Sequence, residues 1–89
     1  MSNTMEQKLK KIRLAEGMTQ KQLSELTGLS LGTIKNYEAG QNTVGLHVLQ
    51  TILAQRAFRK YTMWVIHDNA DAESGQVAPT VDPTRKRAG

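Results

Sequence analysis

Apolar side chains return at spacings of three and four near the start of the chain. Met5, Leu9, Ile12 and Ala15 fall on one face of a helix that runs from about Met5 to Glu16. Thr4 followed by Gln7 has the form of a capping box, in which each side chain satisfies an orphan backbone amide, and Gly17 supplies a left-handed stop. The same Thr-x-x-Gln signature recurs at Thr19 and Gln22 and opens a second helix, with Leu23 and Leu26 on its apolar face and an end near Thr27-Gly28. Leu29 is apolar and follows the glycine, so it is placed to plug the turn. Ser30 is an N-cap for a third helix reaching Glu38, with Ile34 and Tyr37 pointing inward and Ala39-Gly40 as the stop.

The stretch between Gly40 and Gly45 reads as a loop. A fourth helix is expected over Leu46 to Gln55, with Leu46, Leu49, Ile52 and Leu53 inside, and a fifth element carries Phe58, Tyr61, Trp64 and Val65. From Asn69 onward Ser, Gly, Pro and charge dominate, which predicts a flexible tail or linker over 69–89. The expected fold is therefore all-α, a compact bundle of four to five helices over residues 1–68.

Composition narrows the function. A chain of 89 residues holds one small domain, and the absence of cysteine removes disulfides and thiolate metal sites. No apolar run approaches the roughly 20 residues that span a bilayer. The polar start MSNTMEQKLKK lacks the apolar stretch of a signal peptide, so a cytoplasmic protein is expected. The net charge is +4, but residues 1–66 hold nine Lys/Arg against four Glu, so the excess sits on the folded part and favours a polyanion. His47 and His67 stand twenty residues apart with no other ligand at metal spacing. No nucleophile motif or glycine-rich phosphate loop is visible, so neither cofactor, metal nor enzymatic activity is expected.

The informative segment is Gln20 to Ala39, a short helix, a tight turn at Gly28 and a second helix beginning after Ser30. A brief glycine turn lets two helices cross steeply, provided that small or apolar residues such as Leu23, Ser24, Leu29, Ile34 and Tyr37 fill the crossing. The second helix then stands proud enough to enter a major groove roughly 12 Å wide.

This segment resembles the helix-turn-helix of the lambdoid phage repressor and Cro family, the XRE-type regulators, and the resemblance spans about residues 5–66. Met18-Thr19-Gln20 opens the motif as in that family, and Tyr37-Glu38-Ala39-Gly40 is similar to its ending. The resemblance implies an Arg13–Glu38 ion pair joining the first helix to the end of the reading helix, a phosphate contact from Gln20, and a fifth-helix Trp at Trp64. It implies groove-facing positions at Ser30, Leu31, Gly32, Lys35 and Asn36, with Ser30, Thr33, Asn42 and Thr43 as further backbone contacts. Leu31 and Gly32 stand where several relatives carry polar base-reading residues, which shifts direct readout toward Asn36 and Lys35.

The implied function is transcriptional regulation, as a repressor or Cro-like protein, by a homodimer on a pseudo-palindromic double-stranded operator. Phe58 to Ile66 is the expected dimer surface. An antitoxin of a toxin–antitoxin pair uses the same fold but would carry apolar anchors in its tail, where Val77 and Val81 stand alone. A pure protein-interaction module would show a neutral or acidic reading face. Lys8, Lys10 and Lys11 read as a solvated helix face, and Arg85-Lys86-Arg87 as a solvated terminus or a salt-sensitive arm.

Overall fold

The computed structural model describes residues 4–80. Five α-helices follow in order: α1 Met5–Ala15, α2 Gln20–Thr27, α3 Leu31–Glu38, α4 Leu46–Leu53 and α5 Thr62–His67, with a 3₁₀ segment Arg56–Tyr61 leading into α5. No strand occurs among the described residues.

Both expected capping boxes form. Thr4 Oγ1 accepts from Gln7 N at 3.1 Å while Gln7 Oε1 accepts from Thr4 N at 3.0 Å. The Thr19–Gln22 pair repeats this at 3.0 and 2.9 Å. Each box satisfies two amides that a helix start leaves open, which fixes where α1 and α2 begin. Ser30 caps α3 by accepting from Thr33 N at 3.1 Å.

A core of Leu9, Ile12, Leu23, Ile34, Tyr37, Ile52, Phe58, Tyr61 and Val65 draws on all five helices and the 3₁₀ segment. The periodic positions thus enter the core, with two exceptions. Leu46 is 68% exposed and Leu26 is 44% exposed. Leu46 lies roughly 120° around α4 from Ile52 at 100° per residue, beyond the edge of the buried stripe that Val48, Leu49 and Leu53 flank. On α2 the buried stripe is a single residue wide, Leu23.

Lys8 also departs from expectation. It is 4% exposed rather than solvated. Its ammonium donates to Val65 O at 3.1 Å, pairs with Asp68 at 2.6 Å and lies 5.7 Å from the centre of the Trp64 ring. The last carbonyls of α5 have no partner within the helix, and a cation there satisfies one and complements the helix dipole. Asp68 closes α5 in the left-handed conformation, φ 57°.

Contacts also continue past the boundary expected at residue 68. Asp71 and Gln76 exchange backbone hydrogen bonds at 3.1 and 2.9 Å, and Val77 N donates to Lys60 O at 2.8 Å. Gln76 Oε1 accepts from Met63 N at 2.8 Å and so caps the start of α5, while its Nε2 donates to Arg59 O at 3.0 Å. The segment 71–77 is therefore tied to the body through one amide side chain and one backbone bond. The cluster Arg85-Lys86-Arg87 and Val81 lie outside the described residues.

Candidate nucleic-acid interface

The turn between α2 and α3 is built by side chains that close on their own backbone. Gly28 takes φ 79°, a left-handed conformation that strains any residue with a Cβ. Ser24 Oγ donates to Leu29 O at 2.5 Å, and Thr27 Oγ1 accepts from Leu29 N at 3.2 Å while donating to Leu23 O at 2.7 Å. Thr27 had no sequence signal beyond its place before a glycine, since Ser and Thr bond locally in many turns. With the Gly28 amide and both backbone groups of Leu29 bonded, the turn holds α3 at a fixed angle to α2.

The far end of α3 is held from inside the protein. Arg13 Nε and Nη2 donate to the two Glu38 carboxylate oxygens at 2.8 and 2.9 Å, a bidentate pair. Arg13 Nη1 donates to Met18 O at 2.6 Å, and Gln20 Nε2 donates to Glu38 Oε1 at 2.9 Å. The side chains of Arg13 and Glu38 are 8% and 2% exposed. One carboxylate thus receives three donors and ties α1, the start of α2 and the end of α3 together. Gln20 is oriented by this network, its amide nitrogen keeping a second hydrogen for an external acceptor.

Between these anchors α3 turns Ile34 and Tyr37 into the core and leaves Gly32, Thr33, Lys35 and Asn36 exposed, with Leu31 half-buried. Gly32, Lys35 and Asn36 are spaced i, i+3, i+4 and share a face. The side chains of Lys35 and Asn36 make no hydrogen bond among the described residues, whereas Ser30 and Thr33 are engaged with each other at 2.8 Å. A Cβ added at Gly32 would meet nothing within 4 Å, so the fold itself does not require a glycine there.

Asn42 and Thr43 lie on the loop after α3, both exposed. This loop borders a recess of about 330 Å³ whose other wall includes Thr4, Glu6 and Gln7. Tyr37 also lines it, and the buried Tyr37 hydroxyl has no hydrogen-bond partner among the described residues. Burial, with Glu38 nearby, pushes its phenol well above the usual tyrosine range. Val44 N donates to Glu6 Oε2 at 2.8 Å, a long-range bond that no spacing in the sequence announces. Among the described residues no group of three or more His, Cys, Asp or Glu could hold a metal, and no helix is long and apolar enough to cross a membrane.

A capped helix, a glycine turn satisfied by its own side chains and a second helix pinned at its end define a DNA-binding helix-turn-helix domain. The helix-turn-helix family model matches residues 9–55, just over half of the chain, so the chain belongs to that family, in its phage repressor and Cro-like branch. It is similar to Repressor protein C of Escherichia phage P2, with 38% identity over 81 residues that cover 91% of this chain and 82% of the relative.

Proposed function

We propose that the protein is a transcriptional repressor of phage type that reads double-stranded DNA with the exposed face of α3. The carrying observation is a reading helix anchored at both ends within the protein whose middle presents two unengaged polar side chains, Lys35 and Asn36, to solvent. Asn36 is suited to adenine through a bidentate pair, and Lys35 to guanine or phosphate. Leu31 packs on a thymine methyl, and Gly32 lets the helix approach closely. Gln20, Ser30, Thr33, Asn42 and Thr43 donate to the phosphates that fix the register. Membership in the family and the likeness to a phage repressor support this reading.

One α3 covers only a few base pairs, so the working unit is a homodimer on two half-sites in the bacterial cytosol. A two-fold dimer places its reading helices about 34–36 Å apart on a pseudo-palindrome. The surface proposed for the second copy is the outer side of Phe58 to Ile66, whose Phe58, Tyr61 and Val65 turn into the core, with the segment that follows, where Ile66 is 42% and Val77 37% exposed.

The test is a binding selection from random duplex DNA, repeated with Asn36→Ala and Gln20→Ala. Asn36→Ala should relax preference at one position per half-site, at a cost of about 1–3 kcal/mol, while Gln20→Ala should weaken all sequences alike. Failure to enrich any sequence at moderate salt would sink the operator reading. Enrichment of direct instead of inverted repeats would overturn the two-fold arrangement and leave the reading helix standing.

A further inference from the structure

Glu6 is an acidic residue on the first turn of α1 in a protein whose folded part is otherwise rich in positive charge. Its carboxylate reaches across 38 residues to Val44, on the loop between α3 and α4. Few other hydrogen bonds constrain that loop. Gln41 N donates to Asn36 O at 3.0 Å and closes the end of α3, and Gly45 begins α4 with no side-chain cap. Between them, among the described residues, the Glu6–Val44 bond is the hydrogen bond that holds Asn42, Thr43 and Val44. The Val44 side chain packs against the core, while Asn42 and Thr43, both exposed, border the recess shared with Thr4, Glu6 and Gln7 and rest on no such packing. The amide of Val44 also holds the Glu6 carboxyl below the usual carboxylate range, as a charge-assisted bond to the ionised form should.

We propose that Glu6 is a positioning residue for DNA binding, its carboxylate pinning the Val44 amide so that Asn42 and Thr43 are held in place for the phosphates beside the reading helix. This rests on the reading of Asn42 and Thr43 as phosphate contacts given above. It explains why an acidic side chain stands behind a DNA-facing loop: the ordering of the loop outweighs the repulsion of one carboxylate from the phosphates.

Two effects of opposite sign follow. Glu6→Ala removes both the charge and the acceptor, and loop ordering is lost. Glu6→Gln removes the charge and keeps an acceptor oxygen for Val44. The measurement is equilibrium binding of the full chain to the duplex selected by the parent protein, with Asn42→Ala/Thr43→Ala as a second background. Glu6→Ala should weaken binding about 3- to 10-fold at every sequence, and Glu6→Gln should match or exceed the parent. In the Asn42→Ala/Thr43→Ala background, Glu6→Ala should add less than 2-fold, because coupled groups are not additive. Hydrogen exchange at the Val44 amide should speed up in Glu6→Ala and stay close to the parent in Glu6→Gln.

Unchanged or tighter binding by Glu6→Ala would overturn the proposal, as would a loss that adds in full to that of the loop variants. If the loop substitutions reduce affinity and Glu6→Ala does not, the positioning role alone fails. If the loop substitutions have no effect, the phosphate-contact reading fails and the role of Glu6 falls with it. Should Glu6→Ala fail to fold, Glu6→Gln still decides: binding at least as tight as the parent with Val44 exchange unchanged supports the pin, whereas weaker binding with unchanged exchange, or faster exchange with unchanged binding, rejects it.

Discussion

Lys8 and Arg13 leave the same helix five residues apart and are buried to a similar degree, 4% and 7% exposed. They hold opposite parts of the molecule. Arg13 points toward the reading helix and grips a carboxylate that is itself buried, with both oxygens engaged and two further donors closing the network. Lys8 points toward α5, where it donates to a backbone carbonyl and pairs with an aspartate whose side chain is 56% exposed. The reading half is thus locked by a closed, desolvated network and the rear half by one that is open to water on one side. Loss of a partner should cost much more in the first than in the second, because an abandoned buried charge cannot be rehydrated.

Arg13→Ala provides the strongest test of that contrast. It strands the Glu38 carboxylate, and a loss of about 3–5 kcal/mol is expected in urea or thermal unfolding. Replacing both partners by apolar residues of similar volume, Arg13→Met with Glu38→Leu, should recover much of it. A double variant as unstable as the single one would show that the stranded charge is not the source of the cost.

Lys8→Ala should cost less, about 1–3 kcal/mol, the range for a charged donor to a buried acceptor. Its signature should be local: faster hydrogen exchange at the last amides of α5, with α3 unchanged. Lys8→Met keeps the stem and loses the charge, so it separates packing beside Trp64 from capping. Equal acceleration in α3 and α5 would mean that the two halves are not separately held.

On the reading helix itself, Gly32→Ala should raise stability by about 0.4–1 kcal/mol, since the site is open and alanine restricts the unfolded chain. The same variant should bind the operator less tightly if the missing side chain serves close approach to DNA. Tighter binding together with higher stability would remove Gly32 from the interface.

The smallest effect belongs to two partly exposed carboxylates. Glu6 is held below its ordinary value of 4.5 by the Val44 amide. Burial opposes ionisation of Glu16, but donors from the Tyr61 hydroxyl at 2.6 Å and Lys60 at 3.0 Å outweigh it, and it too is lowered. Each group binds its proton less readily when folded. The stability it contributes is therefore full above the ordinary value and is lost as the pH falls through the lower folded value. Unfolding midpoints measured down from pH 6 should begin to fall below about pH 4.5, and Glu16→Gln should make that fall shallower.

Local patterns made much of this protein legible. The two Thr-x-x-Gln boxes, Ser30 before an apolar run, and Gly17 and Gly28 at helix ends specify helix boundaries through bonds spanning three or four residues, so the chain need not fold for them to be read. The apolar spacing likewise places Leu9, Ile12, Ile34 and Tyr37 inside. Arg13 and Glu38 could be paired from the sequence only because a known family pattern supplied their partnership. The tertiary structure alone decided what lies between distant segments. It buried Lys8 against the end of α5, tied Glu6 to Val44, brought Gln20 onto the Glu38 carboxylate and returned Gln76 to the start of α5. It also left Leu46 in water, because the buried width of a helix depends on its neighbours and not on its own periodicity. A charged or amide side chain reads the same in sequence whether it faces solvent or an orphan backbone group. Only the arrival of that group from elsewhere in the chain settles which one it meets.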